Sequence, residues 1–274
     1  MRSVTPDAAE AVAAATYNAA ADSYDDPANS YWERFGGETV DRLGLQTGAR
    51  VLDVCCGSGA SAIAAAQRVG PEGSVLGIDL ADQLLERVRS KASAGGLRQA
   101  EFRVGDMRDL GRPDARFDAV ICVFGIFFVP DMPAALRELW RVTAPGGKLA
   151  ITTWGPRFLE PGSTAFWDAI REVRPDLYKG FNPWDRISDP PALGALLAAA
   201  GIEDAEVVAQ AGTHAIPTPE SWWSAVLGTG YRGTLEQLDA DARERVRMAN
   251  FEFIERTGIR SVEANVVYAI ATEA

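Results

Sequence analysis

The sequence predicts an α/β fold: a Rossmann-like, doubly wound sheet of seven strands, mostly parallel with a C-terminal antiparallel strand, flanked by N-terminal helices and a helical lid inserted before the last strand. Three observations predict it. Short apolar, β-branched runs alternate with helical stretches from residue 50 to residue 153, a spacing that parallel strands joined by crossover helices require. Two of those runs end in a carboxylate, and the first leads straight into a Gly-Ser-Gly turn. The run at 117–123 is apolar throughout apart from Asp118, as expected of a strand buried on both faces.

Residues 6–21 read as an alanine-rich helix, broken at Asp22-Ser-Tyr-Asp-Asp-Pro27, and residues 31–43 as a second helix ending near Gly44 and Gly48. A strand at 50–54 precedes an alanine-rich helix at 60–68, closed by Gly70-Pro71. The strand at 75–78 precedes a helix at 81–94, whose Leu84, Leu85 and Val88 recur with helical period before Gly95-Gly96 stops it. Strands follow at 100–104 and 117–123, then an amphipathic helix at 133–142, a Pro145-Gly146-Gly147 turn and a strand at 149–153. Beyond Trp154 the pattern loosens through a stretch, 155–191, rich in Pro, Gly and aromatics. A helix at 193–200 and strands at 205–209 and 262–272 complete the chain. Between those two strands lies an insertion, about 212–260, containing Trp222, Trp223, Tyr231, Phe251 and Phe253. An insertion of that length reads as a substrate lid. With no repeat or low-complexity linker, residues 1–274 read as a single domain: a core at about 45–155, an N-terminal cap at about 1–44 and the lid.

Bulk composition narrows the function classes. The 274 residues carry a formal charge of −11, and 47% are hydrophobic, enough for a full core. A strongly acidic chain is a poor partner for a nucleic-acid backbone. No apolar run reaches the ~20 residues of a membrane span, and the first residues, Met1-Arg-Ser-Val-Thr-Pro-Asp, lack the apolar core of an export signal. Three cysteines (Cys55, Cys56, Cys122) and one histidine (His214) give neither a disulfide framework nor a metal-ligand pattern. The expected compartment is therefore the reducing cytoplasm, and the expected partner is a small molecule. Self-association as a homodimer is left open.

In a parallel sheet, ligands bind beyond the carboxyl ends of the strands, and four features fall on that rim. The backbone N–H groups of Gly57-Ser58-Gly59 follow the first strand and open a helix, where they can meet an anionic cofactor tail. Asp79, followed by Leu80, ends the second strand and can accept both hydroxyls of a ribose. Asp106 ends the third strand, placed to take an exocyclic amine while Met107 packs on a purine face. Phe124-Gly125 ends the fourth, near where the reacting end of the cofactor would lie.

Taken together, Val51-Leu-Asp-Val-Cys-Cys-Gly-Ser-Gly-Ala60 resembles the first motif of class I S-adenosylmethionine (SAM)-dependent methyltransferases. Asp53 matches the motif's acid, Gly57 and Gly59 match its last two glycines, and Cys55 stands where its first glycine is usual. Asp79 matches the ribose-binding acid, and Asp106-Met107 the adenine-binding pair. Phe117-Asp-Ala-Val-Ile-Cys-Val-Phe-Gly125 and Arg141-Val-Thr-Ala-Pro-Gly-Gly147 resemble the ubiquinone/menaquinone-biosynthesis type (methyltransferase type 11). The resemblance covers about residues 45–155. It implies SAM as cofactor, S-adenosylhomocysteine as product, and methyl transfer by in-line displacement.

The acceptor side reads as apolar or aromatic. Ile126-Phe127-Phe128 stands where many small-molecule members carry a polar residue, and there is no Asn-Pro-Pro-Tyr signature of nucleobase or amide methylation. Phe128, Trp154, Trp184, Trp222 and Trp223 are the candidate walls, against the plainer reading that aromatics are core. His214 is the candidate base, against a plain strand-end histidine. Tyr24, Tyr17 and Glu220 are alternatives, Tyr24 placed to donate to substrate or cofactor. The cysteines read better as small core residues than as nucleophiles. Two rivals remain: a cyclase or other non-transferring SAM-binding protein on the same fold, and a nicotinamide-dependent oxidoreductase. The latter shares the spacing of Asp79 from the glycine turn but requires a third glycine, and Ile63 stands nearby instead.

Overall fold

In the computed structural model, residues 8–274 are described; the start of the first expected helix, at residue 6, and the N-terminal residues read for an export signal lie outside them. The chain begins with α1 (Ala8–Tyr24) and α2 (Tyr31–Leu43), followed by β1 (Arg50–Val54), α3 (Ala60–Val69), β2 (Ser74–Asp79), α4 (Asp82–Ala94) and β3 (Ala100–Val104). Then come β4 (Phe117–Val123), α5 (Met132–Arg141), β5 (Thr143–Trp154), α6 (Gly162–Val173), α7 (Pro190–Ala199) and β6 (Glu206–Gln210). The C-terminal part holds β7 (Thr213–Ala215), α8 (Pro219–Leu227), α9 (Arg232–Leu235), α10 (Ala240–Thr257), β8 (Ser261–Glu263) and β9 (Val266–Thr272).

Seven strands form one sheet in the order β3-β2-β1-β4-β5-β9-β6. Strands β1 to β5 pair in parallel. Strand β9 slots between β5 and β6, antiparallel to both. The expected mostly parallel, doubly wound sheet is therefore present, with its reversed strand inside the sheet.

Alternate residues along the central strands feed two cores. Val51, Ala119, Ile121 and Ala150 face α3 and α4 through Ala62, Ala65, Leu85 and Val88. Their neighbours Leu52, Val54, Val120 and Ile151 face α5 and α7 through Leu136, Leu139, Leu193 and Leu197. A strand buried on both faces has no polar face to offer solvent, which is why β4 reads as one apolar run.

Three elements differ from the sequence reading. The loose stretch after Trp154 contains α6, whose Phe166, Trp167 and Ile170 are buried at helical spacing. The expected Pro145-Gly146-Gly147 turn is an irregularity within β5: Thr143 pairs with Phe117, and regular pairing resumes at Lys148 with Ala119. The expected final strand is split. Asn265 interrupts it, accepting from the Gly212 N–H and donating to the Pro156 carbonyl, so β8 leaves the main sheet and pairs with β7. Between β7 and β8, α10 packs against α8 and α6, while α8 and α9 pack on α1.

Candidate active site

The rim is built at the carboxyl ends of β1, β2, β3 and β4. After β1 the chain turns sharply, with Cys55 at φ 57°, Gly57 at φ 52° and Gly59 at φ 92°, all left-handed. That explains why a glycine is usual at the place of Cys55: an L residue there is strained by about 1–2 kcal/mol. The turn is held from the side by Asp79, which accepts from the Gly57 N–H at 2.8 Å through Oδ2. Its other oxygen accepts from the Ala81 N–H at 2.8 Å, opening α4. Desolvation raises the Asp79 pKa, and hydrogen bonds from Ala81, Gly57 and Leu80 oppose the rise.

Gly57, Cys55, Asp79, Leu80, Asp106, Met107 and Phe124 line one slot, so the structure gathers most of the rim residues the sequence selects. Tyr17 and Tyr24 of α1 lie across it, leaving about 80 Å³ free. The Asp106 carboxylate is paired with Arg108 at 2.8 Å and accepts from the Arg108 N–H at 2.8 Å.

Asp53, Ser58 and Gly59 sit behind the slot and do not line it. Asp53 is fully buried and accepts from Ser61 Oγ at 2.7 Å, while its Oδ1 has no partner among the described residues. Desolvation pushes its pKa up to about 7. Ser58 Oγ donates to Asp25 Oδ1 at 2.5 Å. That carboxylate also receives Lys91 Nζ at 2.6 Å and Arg87 Nε at 2.9 Å, so the end of α1 is latched to the glycine turn and to α4.

Beside the slot lies a second, larger cavity of about 620 Å³. Tyr17, Trp32 and Phe128 line both. Phe128 and Trp154, both expected, face this cavity, as does Trp184. Trp154 stacks on Phe124 with centroids 3.5 Å apart and on Phe158 at 3.6 Å, forming a column that runs from the slot into the cavity. The sequence reading missed Trp32, Phe158 and Trp167. Trp32 follows a break on an amphipathic helix, and nothing local separates a pocket tryptophan from a core one.

The remaining candidates lie elsewhere. His214 Nε2 is 2.7 Å from the Ala28 carbonyl, its ring packs edge-on to Tyr31, and it lines neither cavity. Trp222 is fully buried in the helical insertion, donating to Asn250 Oδ1 at 2.8 Å. Trp223 lines a surface groove with Leu238 and Arg243. The insertion reaches the cavity only through Thr229, Gly230 and Tyr231. Tyr24 does line the slot, and burial holds its phenol well above the ordinary pKa, so it is a donor and not a base at neutral pH. Among the described residues no group of acids, histidines and cysteines has the arrangement of a metal site.

Comparison with known proteins converges on the same rim. Residues 51–147 match the family model of a methyltransferase domain. The demethylmenaquinone methyltransferase of Listeria monocytogenes is 40% identical over 146 residues, 53% of this chain and 61% of that protein. The enzyme of the same name from Geobacillus kaustophilus is 43% identical over 110 residues, 40% of this chain and 47% of that protein. The chain thus spans about three-fifths, or less, of the length of these relatives. Among solved structures, a SAM-dependent methyltransferase from Aquifex aeolicus superposes with a TM-score of 0.52 at 26% identity, covering 69% of this chain and 88% of that one. The [4+2]-cyclase SpnF superposes with a TM-score of 0.54 at 19% identity, covering 88% and 82%, a likeness of fold alone. No helix among the described residues is long and apolar enough to cross a membrane. Most of the motif residues of β1, β2, β3 and β4 are thus gathered at one slot, within the residues 51–147 that match the methyltransferase domain, and over this cofactor half the chain is similar to class I SAM-dependent methyltransferases.

Proposed function

We propose that the protein transfers a methyl group from SAM to a small aromatic or largely apolar metabolite. The observation that carries this reading is the shared wall: a slot bearing the cofactor-type carboxylates opens, across Tyr17, Trp32 and Phe128, onto an aromatic cavity large enough for a metabolite. The slot fits the cofactor. Asp79 is an acceptor for ribose hydroxyls, Leu80 and Met107 are apolar neighbours for a purine, and a side chain at Gly57 would bring its Cβ to 3.3 Å of the Tyr24 hydroxyl. Asp106, Cys55 and Phe124 complete the set proposed to hold it, and Asp53, Ser58 and Gly59 shape the turn from behind.

When bound, SAM supplies an activated methyl group that an acceptor's lone pair displaces in line, the C–S electrons staying on sulfur in S-adenosylhomocysteine. The chain's own contribution is alignment and exclusion of water. The Phe124–Trp154–Phe158 column and Phe128 fix the face that an aromatic acceptor packs on, and α1 closes the site above. Tyr24, a protonated phenol in the slot lining, is placed to donate a hydrogen bond to the cofactor. Among the described residues no carboxylate or histidine lines the aromatic cavity, which suits an acceptor already nucleophilic, such as an electron-rich carbon, an amine or a phenolate. The sequence likeness to demethylmenaquinone methyltransferases favours an electron-rich aromatic carbon among these.

Calorimetric titration of SAM, S-adenosylhomocysteine and NADH tests the cofactor, followed by a label-transfer screen of aromatic acceptors. Binding of both sulfur nucleosides without NADH, with labelled product, supports the reading. SAM binding with no product from any acceptor favours a non-transferring protein.

A further inference from the structure

The aromatic cavity belongs to an acidic protein, yet no carboxylate lines it. Its charged lining residues are two cations, Lys179 and Arg186, carried on the segment between α6 and α7. The chain has 27 basic residues, and most of those around the fold are engaged by nearby acids. These two are not: neither has a carboxylate within ion-pair distance among the described residues. Lys179 Nζ stands 5.9 Å from the centroid of Trp167, and Arg186 5.4 Å from that of Phe181. The nearby acid, Asp185, turns its carboxylate to the Asn182 N–H at 2.7 Å. Both cations stand exposed at the cavity mouth, and partial desolvation against the aromatic surface lowers the Lys179 pKa. A local field of this sign, opposite to the protein's net charge, selects an anion at the cavity.

Position assigns the two ends of the occupant. Lys179, Phe181 and Arg186 line the aromatic cavity alone, whereas Tyr17, Trp32 and Phe128 line it and the cofactor slot. An anion held at the cations therefore leaves the ring system free to extend to the shared wall. We infer that the cavity takes an anionic aromatic molecule, its carboxylate or similar acid group paired with Lys179 and Arg186 and its ring against Trp154, Phe158 and Trp184. That this molecule is the methyl acceptor rests on the transfer reading above; that the cavity prefers an aromatic anion does not.

The test uses two fluorescent probes that share a skeleton. 1-Anilinonaphthalene-8-sulfonate carries an anion, and N-phenyl-1-naphthylamine lacks it. Both are titrated into the wild-type protein, the Lys179→Gln/Arg186→Gln double variant and the charge-keeping Lys179→Arg/Arg186→Lys double variant. The expected result is a loss of about tenfold in sulfonate affinity in the glutamine variant, none for the neutral probe, and retention of most sulfonate affinity in the charge-keeping variant. Unchanged sulfonate affinity, or a parallel loss of both probes, overturns the inference. SAM titration of the same variants keeps the two readings apart. Neither cation lines the slot, so SAM affinity stays at the wild-type value. A wild-type protein that ignores SAM but shows the charge-dependent probe preference loses the transfer reading and keeps this one.

Discussion

Asp79 Oδ2 receives the Gly57 N–H at 2.8 Å, so the acid at the end of β2 fixes the glycine turn at the end of β1. The same carboxylate opens α4 through the Ala81 N–H and lines the slot. Asp79→Ala is expected to weaken SAM binding by about 2 kcal/mol or more, since charge-assisted hydrogen bonds are lost. Asp79→Asn, which keeps an acceptor oxygen, should lose less. Because desolvation raises the Asp79 pKa and the ionised form is the better ribose acceptor, SAM affinity should fall as pH drops through that raised value. Calorimetry across pH checks it; a flat profile together with an unaffected alanine variant would remove Asp79 from the cofactor site.

The latch at Asp25 gives a second expectation. Desolvation pushes its pKa up, but hydrogen bonds from Lys91 and Ser58 and the Lys91 charge outweigh it, so the net shift is downward. A carboxyl whose folded pKa is depressed contributes stability above its unfolded pKa and loses it as pH falls through the folded value. Asp25→Asn should cost about 2 kcal/mol at pH 7 in urea denaturation, and the gap to wild type should close on acidification. The same variant frees the end of α1, which lies over the slot, so stopped-flow SAM association should quicken.

Asp53 behaves in the opposite sense. Its pKa rises to about 7, so the folded state holds a proton that the unfolded chain has already released between the ordinary carboxylate value and that point. Stability therefore falls as pH rises across this window, and the penalty is complete above it. Asp53→Asn keeps an acceptor for Ser61 and removes the charge. It should raise the unfolding free energy at pH 8 by roughly 2 kcal/mol, read by urea denaturation, and do nothing at pH 4. A variant less stable than wild type at pH 8 would show that the carboxylate is needed ionised.

The sheet and the cofactor rim were legible because their signals are local. Alternating runs mark strands, and Asp79, Asp106 and Gly57 fall at strand ends where the parallel topology must gather them. The acceptor side was not, because it is assembled from distant segments. Trp32 on α2, Phe128 after β4, Phe158 after β5 and Lys179 after α6 meet only through packing. Trp222 misled for the same reason: its ring is spent on Asn250 inside the insertion, and sequence alone does not show which tryptophans have such partners. Helix α6 escaped because aromatics and glycine depress helix propensity, while burial of Phe166 and Ile170 overrides it.

His214 supplies the last test. Its Nε2 binds the Ala28 carbonyl, its ring packs on Tyr31, and Tyr31 in turn packs on Trp32 and Trp154 of the cavity wall. A residue so placed supports the wall without reaching the reacting atoms. Desolvation lowers its pKa, and a histidine with a depressed folded pKa weakens the fold as pH falls through its unfolded value of 6.5. His214→Gln, which retains a donor for Ala28, should keep the wild-type turnover and pH–rate profile with any acceptor the screen returns. It should also flatten the dependence of stability on pH near 6. His214→Ala should lose about 1 kcal/mol of stability, as a deleted hydrogen bond predicts, with turnover still largely intact. If the glutamine variant instead lost turnover and its basic or acidic pH limb, proton transfer through His214 would have to be restored, and with it a closed conformation that brings β7 to the slot.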